Sequence, residues 1–174
     1  MKRILLFVCL FSLTALIGTA QEEAKSVRPV PDVSIQDING HKINTATLSN
    51  NGKPIIISFW ATWCKPCISE LTTINEVYSD WQKETGVKLI AVSIDDARSS
   101  QKVLPLVNAK GWDYEILLDQ NGDFKRALNV NAVPHTFLIN GKGEIVWQHT
   151  SFIEGNELEL IELVRKLEAG QPLE

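Results

Sequence analysis

The chain has 174 residues, 44% of them hydrophobic and 22% charged, which is ordinary globular composition and enough for one well-cored domain. Its 17 Lys and Arg stand against 21 Asp and Glu, and an acidic chain without a basic cluster is a poor partner for nucleic acid. The N-terminus carries a basic start at Lys2 and Arg3, an apolar run from Ile4 to Ile17, and the small residues Gly18, Thr19 and Ala20. This pattern predicts a secretory signal peptide over residues 1–20, with an uncleaved N-terminal anchor as its rival. Cys9 lies inside the apolar run and reads as a small hydrophobe. Cleavage after Ala20 removes two basic residues and no acid, leaving 15 against 21 and a net charge of −6. It also leaves Cys64 and Cys67 as the only cysteines, and in an exported protein a lone pair is either a structural bridge or a working redox couple.

Residues 21–29 are polar and read as a linker into a domain spanning 30–170. VSIQDINGHKI alternates around Asn39-Gly40, the signature of a hairpin. IIISFWA after Pro54 is a continuous apolar run, which predicts a buried strand. Ile68, Leu71, Ile74, Val77, Tyr78 and Trp81 recur at helical spacing, so a helix is expected up to about Thr85, stopped by Gly86. KLIAVSI (88–94) completes a β-α-β unit whose strands should be parallel. Residues 96–110 have a helical pattern that Pro105 should kink or split. A strand YEILLD, a short helix at 123–128, a strand HTFLIN and a hairpin through Asn140-Gly141 into EIVWQHTSF follow. The last helix is expected from about Asn156, ended by Gly170 and Pro172. The order implies an α/β fold, a mixed central sheet with helices on both faces.

The chemistry concentrates in FWATWCKPC, residues 59–67. Cys64 falls where strand gives way to helix, and the free N–H groups of a helix start favour an anion such as a thiolate. Lys65 adds a positive charge, and Pro66 suits an early helical position that needs no donor. Cys67 follows about one turn later, so the two sulfurs can close a small ring and resolve a mixed disulfide internally. A static bridge remains open, although so short a loop removes little chain entropy. A zinc half-site lacks a second Cys/His pair at usable spacing.

Glu70 lies a further turn along, at the border of the apolar stripe, where burial should raise its pKa and let it exchange a proton with Cys67. An ordinary solvated glutamate is the alternative. Pro134, after Val133, opens a strand either as an edge residue or as a cis peptide beside Cys64. His135 is either a titrating group near the sulfurs or a structural histidine. Trp60 and Trp63 either shield the disulfide or pack the core.

With these residues in hand, the chain resembles the TlpA/ResA-like branch of the thioredoxin superfamily over about Val30 to Leu167. FWATWCKPC is similar to its W-x-x-W-C-x-P-C signature, and AVPHTFLIN to the segment carrying its cis-proline. The resemblance implies a thioredoxin fold with an N-terminal β-hairpin extension and a central α-β insertion. Ser58 stands where cytoplasmic thioredoxins carry a buried acid, and Glu70 where the reducing members of the branch carry a functional glutamate. His135 departs from the family's more usual threonine. The implied activity is that of a periplasmic thiol:disulfide oxidoreductase without cofactor or metal. Its substrates would be disulfides in exported proteins, apocytochromes among them, and a membrane thiol-disulfide donor would keep it reduced. An oxidase or isomerase would use the same motif at a higher potential. A peroxidase needs an activated peroxidatic cysteine rather than this pair. A non-enzymatic module would hold Cu(I) through Cys64, Cys67 and His135.

Overall fold

The computed structural model describes residues 28–173, so the expected signal peptide, Cys9 and all but the last two residues of the expected linker lie outside the described residues. Those last two, Arg28–Pro29, are not linker but a short edge strand, β1, paired antiparallel with Ile145 and Glu144. Proline is tolerated there because an edge strand has a side without ladder donors. Among the described residues, no helix is long and apolar enough to cross a membrane.

The hairpin around Asn39-Gly40 forms as β2 (Ser34–Asp37) and β3 (Lys42–Asn44). The Asp37 carboxylate accepts the N–H groups of Asn39 and His41, and Gly40 supplies the positive φ of the turn. The run after Pro54 is β4 (Ile55–Trp60), buried at every residue. It leads into α1 (Lys65–Thr85), which Gly86 ends in the left-handed conformation. β5 (Lys88–Ser93) then pairs parallel with β4.

The stretch 96–110 is helical over less of its length than its pattern predicts. The Asp96 side chain accepts the N–H groups of Arg98 and Ser99 and turns the chain there. A 3-10 turn at Ser100–Lys102 precedes α2 (Val103–Lys110). Pro105 is the third residue of α2, in the first turn, where a missing N–H costs nothing. The proline therefore marks a helix start rather than a kink.

β6 (Glu115–Leu118) extends the parallel run beside β5, and α3 (Asp123–Ala127) is a single short helix. β7 (His135–Ile139) lies antiparallel to β4, and β8 (Glu144–Thr150) antiparallel to β7. β8 ends before Phe152 because Ser151, at φ 77°, turns away and donates its N–H to the Pro134 carbonyl at 2.9 Å. α4 (Asn156–Glu168) closes the chain.

Among the described residues the result is one eight-stranded mixed sheet in the order β1-β8-β7-β4-β5-β6-β2-β3. The N-terminal hairpin docks through β2 on β6, antiparallel. One face of the sheet packs against α1, α2 and α4, with Trp60, Leu71, Ile74, Trp81, Val107 and Val164 in one apolar cluster. The other packs Ile57, Phe59, Phe137 and Ile139 against α3 residues and the segment around Val30. β4, β5 and β6 are parallel neighbours stepping in one direction across the sheet, and for such connections the usual right-handed crossover puts α1 and α2 on the same face.

Candidate active site

β4 delivers the chain to the site, and the turn after it aims Cys64 at the start of α1. Cys64 is the N-cap of that helix, with extended backbone at φ −94° and ψ 96°. Its Sγ accepts the Cys67 N–H at 3.3 Å, filling the position that a Ser or Asp oxygen usually takes at a helix start. A sulfur held there faces unpaired backbone donors, the surroundings that favour thiolate over thiol. Lys65 and Pro66 are the first two residues of α1, both exposed, so the proline costs no hydrogen bond.

Cys64 and Cys67 are joined by a disulfide with Cα atoms 5.3 Å apart. Cys67 is completely buried, whereas Cys64 keeps a sliver of surface, so an incoming group can reach only the first sulfur. The peptide bond between Val133 and Pro134 is cis, and the Val133 carbonyl oxygen lies 3.7 Å from the Cys64 Sγ.

Glu70 points into the molecule. It is buried between α1 and the sheet, where Oε2 accepts the Ser58 hydroxyl at 3.0 Å and Oε1 accepts the Thr136 hydroxyl at 2.8 Å. Ser58 on β4 and Thr136 on β7 are direct cross-strand partners, so the register of the two strands builds a two-pronged cradle for one carboxyl group. Burial pushes the Glu70 pKa up to about 7, and the two hydroxyls partly counter it by favouring the charged form. The group is thereby poised to gain or lose a proton near neutrality.

His135 goes elsewhere. Side chains alternate along a strand, so His135 leaves β7 on the face opposite to Thr136. Its ring stacks on Phe137, 4.5 Å between centroids, and its Nδ1 lies 3.3 Å from the Thr150 hydroxyl. Burial lowers its pKa and keeps it neutral at neutral pH. The two tryptophans also part company. Trp60 is wholly buried and packs edge-on against Trp112 in the core, while Trp63, in the turn, is 65% exposed.

The sequence profile of the AhpC/TSA family matches residues 27–148. The chain belongs to this family. Among characterised relatives it is 32% identical to the thiol-disulfide oxidoreductase ResA of Geobacillus kaustophilus over 142 residues, covering 82% of this chain and 76% of that protein. It is 31% identical to the sporulation thiol-disulfide oxidoreductase A of Bacillus subtilis over 147 residues, covering 83% and 87%. An uncharacterized thioredoxin-like protein from Porphyromonas gingivalis, solved in solution, is 56% identical and superimposes with a TM-score of 0.73 over 80% of this chain and 92% of that one. The fold is thus the thioredoxin-like α/β fold, and within the family the chain sits among the ResA-like thiol-disulfide oxidoreductases.

The structure therefore gathers Cys64, Cys67, Glu70, Val133 and Pro134 in one place. His135 and Trp60 belong to the packing of the sheet, which removes His135 from the ligand set of a copper site. Among the described residues no group of three or more His, Cys, Asp and Glu side chains gathers as a metal site. Thr136 carries a polar contact that sequence reasoning missed. In a buried strand HTFLI a threonine reads as an ordinary β-former, and only the pairing of β7 with β4 reveals what its hydroxyl meets.

Proposed function

We propose that this protein is an exported dithiol reductase, acting on disulfides in exported proteins through Cys64 and Cys67. The observation that carries the reading is Glu70, a carboxyl group buried one turn beyond Cys67 with its pKa moved to about 7. A purely structural bridge has no use for a buried proton exchanger. A reductase needs one, because a buried thiol must lose its proton before it can attack.

In the forward cycle the Cys64 thiolate attacks one sulfur of a substrate disulfide. The first substrate sulfur leaves as thiolate and takes a proton from solvent, and a mixed disulfide to Cys64 remains. Glu70 accepts the Cys67 proton. The Cys67 sulfur then attacks the Cys64 Sγ, the second substrate sulfur departs as thiolate, and it takes up the proton that Glu70 releases. The substrate gains two electrons and two protons, and the enzyme is left with the Cys64–Cys67 disulfide. A dithiol donor reverses the last step on the enzyme to restart the cycle. In this reading Pro134 and the Val133 carbonyl form the shelf along which an extended substrate segment pairs, with Trp63, Lys65 and Pro66 on its rim.

In this reading residues 1–20 act as the export signal and the residues after them lead into a domain that works outside the cytoplasm. The donor is then a membrane thiol-disulfide protein, and apocytochromes awaiting haem are one substrate class. A Cys67→Ser variant tests the scheme, since it stalls after the first attack. It should accumulate mixed disulfides between Cys64 and exported proteins in cells. An absence of such adducts, or a reduction potential near about −120 mV, the range of strong oxidants, sinks the reductase reading.

A further inference from the structure

A second buried carboxylate lies beside the cysteine turn, and the thiol chemistry above leaves it unused. Asp95, 1% exposed, stands two residues beyond Ser93 at the end of β5. Its Oδ2 accepts the Thr62 N–H at 2.8 Å and the Ser93 hydroxyl at 2.9 Å, and its Oδ1 accepts the Thr62 hydroxyl at 2.7 Å. The Asp95 N–H returns to the Ser93 Oγ at 3.1 Å. Just before this cluster, the Ile94 N–H bonds the Trp60 carbonyl at 2.8 Å, so the β4–β5 ladder runs up to the turn and Asp95 continues it by side chain.

Three donors from neutral groups satisfy this carboxylate. Burying a charge is costly unless its lone pairs are used, and here they are. The residue type also matters. An amide offers a single acceptor oxygen, so asparagine cannot take the backbone and side-chain donors of Thr62 together with the Ser93 hydroxyl on two oxygens. Thr62 is clamped through both its main chain and its side chain, two positions before Cys64. The Cys64 N–H in turn bonds the Ala61 carbonyl at 3.0 Å across the same turn.

We propose that Asp95 is a positioning residue for the nucleophile: by clamping Thr62 to the end of β5 it fixes the turn that holds Cys64 at the N-cap of α1. The proposal rests on the thiol-disulfide reading of the site. It acts through geometry, because the favourable field of a helix end fades within the first turn, so a Cys64 sulfur that drifts loses it.

Geometry and charge predict opposite signs, which makes the idea testable. A negative charge acting through space disfavours a nearby thiolate, so its removal lowers the thiol pKa. Loss of the clamp raises it instead. The experiment follows alkylation of Cys64 against pH in the reduced full chain, with thermal melting alongside, for Asp95→Ala, Thr62→Val and Thr62→Ser. Asp95→Ala is expected to raise the Cys64 midpoint enough to cut the thiolate fraction at neutral pH about tenfold, which is a shift of about one pKa unit. Thr62→Val, which keeps the Asp95 charge and the backbone bond, should raise it by less, and Thr62→Ser should match the parent. The Thr62 pair carries the test if Asp95→Ala does not fold. A midpoint in Thr62→Val equal to or below the parent's, or a fall in Asp95→Ala, overturns the proposal, and so does a lowered melting temperature with no midpoint shift. Alkylation reads the thiol without any substrate, so this result is separate from the trapping result for Cys67→Ser.

Discussion

His135 and Thr136 are neighbours in the chain and strangers in the fold. On one face of β7, Thr136 meets Glu70 and joins the machinery beneath the disulfide. On the other, His135 stacks against Phe137, with the Thr150 hydroxyl and the Gln148 side chain beside it. Both follow the cis proline directly, so sequence distance to the site is the same to within one residue. What separates them is the two-residue period of a strand. The residue with the more reactive side chain lands on the inert face, and the one with the plain hydroxyl lands where it can tune a carboxyl group.

Four substitutions can break or sharpen this contrast. Cys64→Ser is expected to drop disulfide-reduction turnover to background, because Cys67, the other cysteine among the described residues, is completely buried and cannot start the cycle. Glu70→Gln is expected to slow the release of substrate from the mixed disulfide by about 100-fold and to flatten its pH profile near neutrality, seen by rapid-quench kinetics. The same variant reports on stability. In the parent, folding raises the Glu70 pKa from 4.5 to about 7, so the native state binds the proton more tightly than the unfolded one. Stability is therefore full below about pH 4.5 and falls as pH rises toward about 7, by about 3 kcal/mol in all. Glu70→Gln should abolish that slope in denaturant titrations.

Thr136→Val removes one of the two hydroxyls that favour the charged carboxylate. It should push the Glu70 midpoint further up by about one to two units, which a carboxyl-carbon NMR titration would read. The smallest effect belongs to the other face. His135→Phe keeps the stacking and gives up only the ring's polar contacts to Thr150 and Gln148, so stability should change by no more than about 1 kcal/mol. Its Cys64 alkylation profile should be that of the parent. A shifted profile would mean that the two faces of β7 communicate and would end the comparison.

Much of this layout is legible in the sequence because it depends on local patterns. The continuous run IIISFWA, the helical spacing from Ile68 to Trp81 and the stop at Gly86 each name their element without help from the rest of the chain. The two cysteines and Glu70 lie within one helix start, so helical periodicity relates all three. Elements whose ends depend on a single local hydrogen bond, from side chain or backbone, were less visible. Asp96 holds residues 98 and 99 out of the helix that their pattern suggests, and the Ser151 bond to Pro134 cuts β8 short. Arg28 and Pro29 look like linker because two residues have no periodicity of their own, and it is their pairing with β8 that makes them a strand.

The order of residues alone therefore determined which two sulfurs are joined, the helix that presents them and the acid one turn below, since all of these are relations over a few positions. Only the packed sheet decided that Ser58, Thr136 and Asp95 converge on that segment from three strands or strand ends, and that His135 does not. The physical reason is that strand register and facing are set by burial of the whole sheet, a long-range quantity that no short stretch of sequence contains.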